Sequence, residues 1–371
     1  MVDASRAHDL EGPLPLTRSA PRSGTLRSWF DSRMLRYLVK RLAFLVPQLL
    51  GISFITFYLI RLLPGDPATA ILGSMATPGQ IQNLREQLGL TQPVPVQYWL
   101  WLQRVLHGDL GHSNFTGNAV ASDLLTRLPA TLELITISTV LAMVTMIPLG
   151  LLLGRPGGRW RRKIGGSGAF VYGLLAGALP EFWIGLILIF VFYSWLGLAP
   201  APLGRLDMSV VPPPRVTGFL TIDSVVAGDW VALGSALQHL ILPVLSLAFV
   251  IGAPVLRMTR SMVENVHNSE YMEYARALGL RDRQVTRYAL RNSLPPVLTM
   301  IGLIYSFQLG GAVLVEQVFS WGGAGQYAVQ AIANADFWPV QGFVLIAGVF
   351  SVLIYLTVDL LYFAIDPRIE P

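Results

Sequence analysis

A chain of 371 residues with 53% hydrophobic and only 13% charged residues carries about half the charge of an ordinary soluble domain. Its mean hydropathy of +0.54 and its solid apolar runs exclude a soluble globular enzyme and predict a polytopic α-helical membrane protein, since hydrocarbon leaves each backbone group to be satisfied within its own segment. The net charge is +5 and cysteine is absent, which excludes disulfides, thiolate metal sites and thiol nucleophiles and leaves the excess of Lys and Arg to nucleic acid or to membrane topology.

Taken in chain order, residues 1–34 are rich in Pro, Ser and Arg without periodicity and predict a disordered tail rather than a signal peptide, because they lack its short apolar core and cleavage site. A first span is expected within 35–62, its apolar run at 42–60 bracketed by Lys40, Arg41 and Arg61. A long polar region, 63–130, follows. A second span runs from about 131 to 153 and ends at "GRPGGRWRRK", with five positive charges between Arg155 and Lys163. The third apolar stretch, 164–197, holds Pro180 and Glu181 near its middle. At about 1.5 Å per residue it is longer than the bilayer core, and one tilted or Pro-kinked helix fits it better than two antiparallel spans joined at Pro180. Residues 198–236 are rich in Pro and Gly. The remaining spans are expected near 237–256, 294–315 and 340–365, giving a five-helix core over 131–365 with a charged segment, 257–293, inside it and a short C-terminus, 366–371.

Charge placement selects the topology. Of the 27 Lys and Arg, 21 fall in 1–41, 154–163, 257–293 and 366–371, against 5 in 63–130, 198–236 and 316–339. Six spans with both ends cytoplasmic satisfy the positive-inside rule, whereas seven would place the Arg-rich 257–293 segment outside. Topology therefore accounts for the basic excess, and no nucleic-acid partner is expected.

Several chemistries fail on spacing. The two lysines, Lys40 and Lys163, are followed by Arg41 and Ile164, so neither completes a phosphate-cradling P-loop. "GGSG" at 165–168 suggests an intramembrane serine protease, but six spans put Ser167 and its obvious base, His239, a bilayer apart. Small residues that let helices pack closely explain it instead. The five histidines show no metal-ligand spacing, and His107 and His112 read as solvated loop residues. No catalytic residue, cofactor site or metal site is expected. A self-contained secondary transporter would show repeated halves, and residues 35–200 and 237–365 show no repeat.

The polar segment "NSEYMEYARALGL" at 268–280 stands out between apolar runs. Ser269 is placed to cap a helix, Glu270 and Glu273 suit its N-terminal end, and Gly279 suits a left-handed exit. Met272, Ala275 and Leu278 form a narrow apolar stripe. So short a helix is unstable alone in water, so it either docks in a partner's groove or lies at the lipid interface.

"EYARALG" at 273–279 resembles the E-A-A-x-x-x-G loop of ATP-binding-cassette importer permeases, with Glu273, Ala275 and Gly279 matching and Tyr274 in place of the first alanine. Leu294-Pro295 follows the loop three residues later than is common. "RLLPGDPA", "GDLGHS", "RLPATLEL", "LPEFWIGL", "VEQVFSWGGAGQY" and "DLLYFAIDPR" occur in order, and together the seven motifs resemble the B-type permease of the dipeptide, oligopeptide and nickel importers over about residues 35–369. Gly323 stands where that family usually has Pro, and "NAD" at 334–336 where Arg-Asp is usual. The resemblance implies the type I importer permease (MetI-like) fold in a bacterial cytoplasmic membrane. It implies a heteromer with a C-type permease, two cytoplasmic ATPases that hold ATP and Mg, and an external substrate-binding protein or lipoprotein, all embedded in lipid. It also implies that Glu273, Ala275, Arg276, Leu278 and Gly279 couple the chain to an ATPase. Asp66, Glu316, Trp321 and Gly325 become candidates for an outer gate or binding-protein contact. Glu181, Gln308 and Asp359 become candidate polar groups on the pathway, with Glu133 and Gln238 noted beside them. Peptides are the expected cargo; nickel chelates, another small solute, or a secondary transporter remain alternatives.

Overall fold

A computed structural model describes residues 39, 43–58, 67–72, 76–87, 89–155, 159–279 and 282–365. Asp66 and the two terminal segments, 1–34 and 366–371, lie outside the described residues, as do the side chains of Ala275, Arg276 and Asp359. The described elements are α-helical: α1 Ala43–Tyr58, α2 Pro67–Leu72, α3 Pro78–Gln87, α4 Val94–Leu106, α5 Val120–Leu153, α6 Arg159–Ala178 and α7 Glu181–Leu188. After a π-helical turn at Ile189–Trp195 come α8 Leu220–Ala227, α9 Trp230–His267, α10 Glu270–Ala277, α11 Asp282–Val318, α12 Ala324–Ala333 and α13 Phe337–Ile365.

Among the described residues, four helices are long and apolar enough to cross a membrane: α5, α9, the Thr299–Val318 part of α11 and the Phe337–Val358 part of α13. α9 is the axis. Its apolar window is 72% buried, against 22–39% for the other three. Its start is fixed by Asp229, whose carboxylate accepts the Ala232 N–H at 2.9 Å, an N-cap that satisfies one of the free donors of the first turn. α5 lies along it closely because it presents glycine at the contact: an added Cβ at Gly150 would sit 2.7 Å from the Thr259 Cβ and 3.2 Å from the Leu256 carbonyl oxygen. Without a hydrophobic force between helices in lipid, such close backbone approach is what holds a pair together. The main core joins Leu134 and Ile135 of α5, Leu240, Leu242 and Leu247 of α9, and Leu309, Val315, Phe319 and Trp321 at the end of α11.

The third apolar stretch departs from the single kinked helix expected for it. α6 and the α7–π segment meet at 103°. The cause is local: Pro180 has no N–H to give to the preceding turn and sits in extended backbone (φ −67°, ψ 149°), and a residue ahead of proline is pushed out of the helical region. The helices also outrun the spans read from hydropathy. α5 begins eleven residues before 131, and α9 and α11 continue well past their apolar parts at the ends that face α10. Part of the expected polar region 63–130 is folded as α2 to α4. There, Phe57 of α1, Trp101 and Leu102 of α4 and Leu345 of α13 form a second cluster, and the Ser53 and Tyr98 hydroxyls share a hydrogen bond of 2.9 Å.

Candidate functional site

Two regions at opposite ends of α9 hold the chemistry-bearing residues. At the Trp230 end, the chain leaving α11 folds back as the "SWGGAGQY" hairpin, with Ser320 (φ 51°) and Gly322 (φ 75°) in left-handed backbone. Glu316 is fully buried beneath it. One carboxylate oxygen accepts the Thr131 hydroxyl at 2.5 Å and the other the Gln326 N–H at 2.8 Å. Thr131 in turn accepts the Ala324 N–H at 2.9 Å. The Trp321 indole N–H donates to the Ala130 carbonyl at 3.1 Å. Gly323 and Gly325 lie directly on the carboxylate: an added Cβ would stand 2.4 Å and 3.0 Å from its oxygens, respectively. The glycine at 323 therefore gives the carboxylate the space it occupies.

A second buried carboxylate, Glu133, lies two residues after Thr131 on α5, about half a turn around the helix. It receives the Arg205 guanidinium, the Thr221 N–H at 2.7 Å and hydroxyl at 2.5 Å, and the Leu220 N–H at 3.2 Å. Arg205 also lies over the Trp321 ring, 5.8 Å from its centroid. Asp223, buried as well, accepts from Thr217 and Gly218 at 2.7–2.9 Å. Burial pushes its carboxyl up, but these hydrogen bonds outweigh burial and hold it below its usual value. Arg215 donates to the Leu125 and Thr126 carbonyls at 3.0 and 3.2 Å. The 198–219 segment is thus pinned at several points, while Met208 (87% exposed) and Val211 (79%) face outward between the pins.

Sequence reasoning named Glu316, Trp321 and Gly325 together, and the structure brings all three to one hairpin. It noted Glu133 without a partner, and it missed Arg205, Thr131 and Asp223. Gln308 belongs to the helix seam: its amide oxygen accepts the Thr139 hydroxyl at 2.7 Å and its NH₂ donates to Ser138 at 3.3 Å. Gln238 lines a cavity of about 390 Å³ with Phe192, Leu198 and Asp207. Within "NAD", Ala335 takes a left-handed turn (φ 52°), and Asp336 accepts the Ser113 hydroxyl at 2.7 Å. Among the described residues no group of three His, Asp or Glu side chains is placed to hold a metal.

At the other end, α10 bridges α9 and α11. The Ser269 hydroxyl does not cap it; it turns back to the Val266 carbonyl at 2.6 Å, and the Ser269 carbonyl accepts the Met272 and Glu273 N–H groups instead. Met272 is buried (1% exposed), whereas Tyr274 (68%) and Leu278 (64%) stand clear. The expected stripe is therefore divided, because residues six apart on a helix lie about 120° apart around it. Glu273 is exposed. Gly279 ends the segment at φ +78° with open space around it.

Residues 146–371 match the family described as binding-protein-dependent transport system inner membrane component, and residues 34–135 match the N-terminal part of such membrane components. The chain is 41% identical over 326 residues to the probable D,D-dipeptide transport system permease protein DdpB of Escherichia coli (strain K12), covering 88% of this chain and 94% of that protein. It is 37% identical to the dipeptide transport system permease protein DppB of Alkalihalophilus pseudofirmus, covering 91% of this chain and 100% of that one. It is 34% identical to the glutathione transport system permease protein GsiC of Salmonella choleraesuis, covering 91% and 99%.

Proposed function

The chain belongs to the family of binding-protein-dependent transport inner-membrane components, and on that premise we propose that it is the B-type permease of an ATP-driven peptide importer, forming half of the translocation pathway. A multi-pass inner-membrane protein of this family is a transport component and not itself an enzyme. In this reading it pairs with a C-type permease, takes di- or oligopeptides from an external binding protein, and depends on two cytoplasmic ATPases that bind ATP and Mg. The charge asymmetry supports six spans, with α6 and α7 forming one broken crossing, both termini cytoplasmic and the tail 1–34 inside. The Trp230 end of α9 is then external, and region 63–130 is external with Asp66 at its start.

The observation that carries the reading is α10. It is a short helix whose Met272 is anchored inward while Tyr274 and Leu278 are exposed, and it joins α9 and α11, the two longest helices among the described residues. A helix of eight residues offered in this way suits an ATPase groove, and motion of its seat would pass directly into α9 and α11. Glu273, Ala275, Arg276, Leu278 and Gly279 form the contact. At the opposite end, Glu316, Trp321 and Gly325 hold the hairpin that closes the external side of the core, and Asp359 lies on α13 towards the cytoplasmic end. Peptide cargo is supported by the relatives, which are permease proteins of D,D-dipeptide, dipeptide and glutathione transport systems.

Two measurements test it. The chain should co-purify with two ATPase subunits and a second permease. Mass spectrometry of the ligand on the cognate binding protein should find a peptide, and a metal chelate there would overturn the cargo assignment.

A further inference from the structure

Glu181 occupies a position that the packing of the bundle does not account for. It opens α7 immediately after the break at Pro180, and contacts with two helices fix its depth. On α6, the Tyr172 hydroxyl donates to the Phe249 carbonyl of α9 at 2.7 Å. Just beyond Glu181, an added Cβ at Gly185 would stand 3.0 Å from the Phe319 ring, which follows α11, and 3.8 Å from Ser246 of α9. At about 1.5 Å per residue, that stretch of α9 lies roughly 25 Å from Trp230 and roughly 14 Å from Arg257. The Glu181 carboxylate itself lies against Gly311 of α11, where an added Cβ would be 3.3 Å from Oε1. Gly311 is well inside the apolar stretch Thr299–Val318. The carboxylate is therefore near the middle of the hydrocarbon.

A carboxylate at that depth is costly unless a cation, water or a partner meets it. Glu133 and Glu316 are sealed in and supplied with donors. Glu181 is only partly buried, and among the described residues it has neither a hydrogen bond nor an ion pair. Beside it, α11 turns outward a stripe of one residue per turn, Leu303, Phe307, Gly310 and Leu314, and a Cβ at Gly310 would meet nothing within 4 Å. The carboxylate stands at the edge of this open face. Lipid tails offer it nothing, so this open face is read as lining the pathway rather than as a contact with the second permease, and the test distinguishes the two.

We infer that Glu181 is a recognition point inside the pathway for the cationic α-ammonium group of the transported peptide. The inference rests on the peptide-importer reading and adds a specific site to it. A carboxylate gives an ammonium a charge-assisted hydrogen bond, and a partly exposed one can exchange it for water, so that binding at mid-pathway does not become a trap. The absence of a side chain at Gly311 leaves the carboxylate room to follow the ammonium past the break.

The test is uptake of radiolabelled alanyl-alanine by the complete complex in proteoliposomes with its binding protein, for wild type, Glu181→Gln and Glu181→Asp. Glu181→Gln is expected to assemble in normal yield and to keep binding-protein-stimulated ATP hydrolysis while losing at least about tenfold in peptide moved per ATP. Glu181→Asp is expected to recover a substantial part of that ratio. Loss of ATP hydrolysis in proportion to uptake, or loss of the second permease from the Gln complex, would overturn the inference in favour of a structural or inter-subunit role. Uptake by Glu181→Gln within twofold of wild type would overturn it outright. If wild type itself moves no peptide, the importer reading fails first, and this inference with it.

Discussion

Thr131 on α5 and Glu316 on α11 are 185 residues apart in the chain and share a buried hydrogen bond of 2.5 Å. That bond joins two helices and, through the Ala324 and Gln326 N–H groups, fixes the hairpin above them. Removing the carboxylate strands several buried donors, each worth about 1–3 kcal/mol. Glu316→Ala is therefore expected to destabilise the protein by about 3 kcal/mol or more, and Thr131→Val by less. Gly325→Ala should cost about 1–3 kcal/mol by overpacking, since its Cβ would stand 2.9 Å from the Val313 Cα, a backbone atom that cannot rotate away. Thermal unfolding in detergent measures all three, and a Gly325→Ala protein as stable as wild type would contradict the packing described for the hairpin.

Glu133 is the pin of the 198–219 segment. Its partner Arg205 keeps 21% of its side-chain surface exposed while Glu133 keeps 2%, so an unpaired Arg205 still reaches water, whereas an unpaired Glu133 is left as a buried charge. Glu133→Leu strands the Leu220 and Thr221 donors and is expected to cost about 3 kcal/mol; Arg205→Met, which leaves the buried carboxylate without its cation, should cost at least as much. The segment should also loosen, and trypsin cleavage after Arg215 should speed up in Glu133→Leu before the helices unfold. Equal cleavage rates in wild type and variant would show that the pin does not hold the loop.

Asp223 makes the same segment sensitive to acid. Its folded pKa is lowered from 3.8, so it contributes stability that is present above the unfolded value and is lost as pH falls through the lower folded value. The 217–223 turn is therefore expected to hold at pH 7 and pH 5 and to open as pH falls below about 4. Asp223→Asn should be looser at neutral pH and should show less further change on acidification. Hydrogen exchange at the Thr217 and Gly218 amides reads this directly.

Most of the helices, and the short segment between α9 and α11, were legible because they depend on local information: apolar run length, charge at helix ends, and a glycine at a helix exit. What was not legible depends on partners far away in sequence. Nothing around Glu133 announces that Arg205 and Thr221 will meet it, and Gln308 reads singly as a pathway residue although with Ser138 and Thr139 it forms a seam. The break at Pro180 had a local cause in plain view, but its size did not. A proline only ends a helix; the 103° angle comes from where α9 and α11 receive α7. The division of Met272 from Leu278 was also within reach, since the helical period separates them, whereas spacing by three suggested a single stripe.

Gly279 gives the sharpest test of the proposed coupling segment. Its φ of +78° is a conformation that costs a residue with a side chain about 1–2 kcal/mol, and among the described residues, chain neighbours aside, no atom lies within 4 Å of where a Cβ would go. Gly279→Asn tolerates the left-handed backbone and should transport near normally unless bulk itself is excluded. Gly279→Ala pays the backbone strain with little added volume and should retain part of its activity. Gly279→Arg adds a long charged side chain on the side open to a partner and should abolish ATP-dependent uptake and co-purification of the ATPases, while membrane insertion and thermal stability stay close to the Ala variant's. The order Asn, Ala, Arg separates backbone strain from a blocked interface, because strain alone would make Ala and Arg equally impaired. Normal uptake by Gly279→Arg would remove the 273–279 segment from the coupling role.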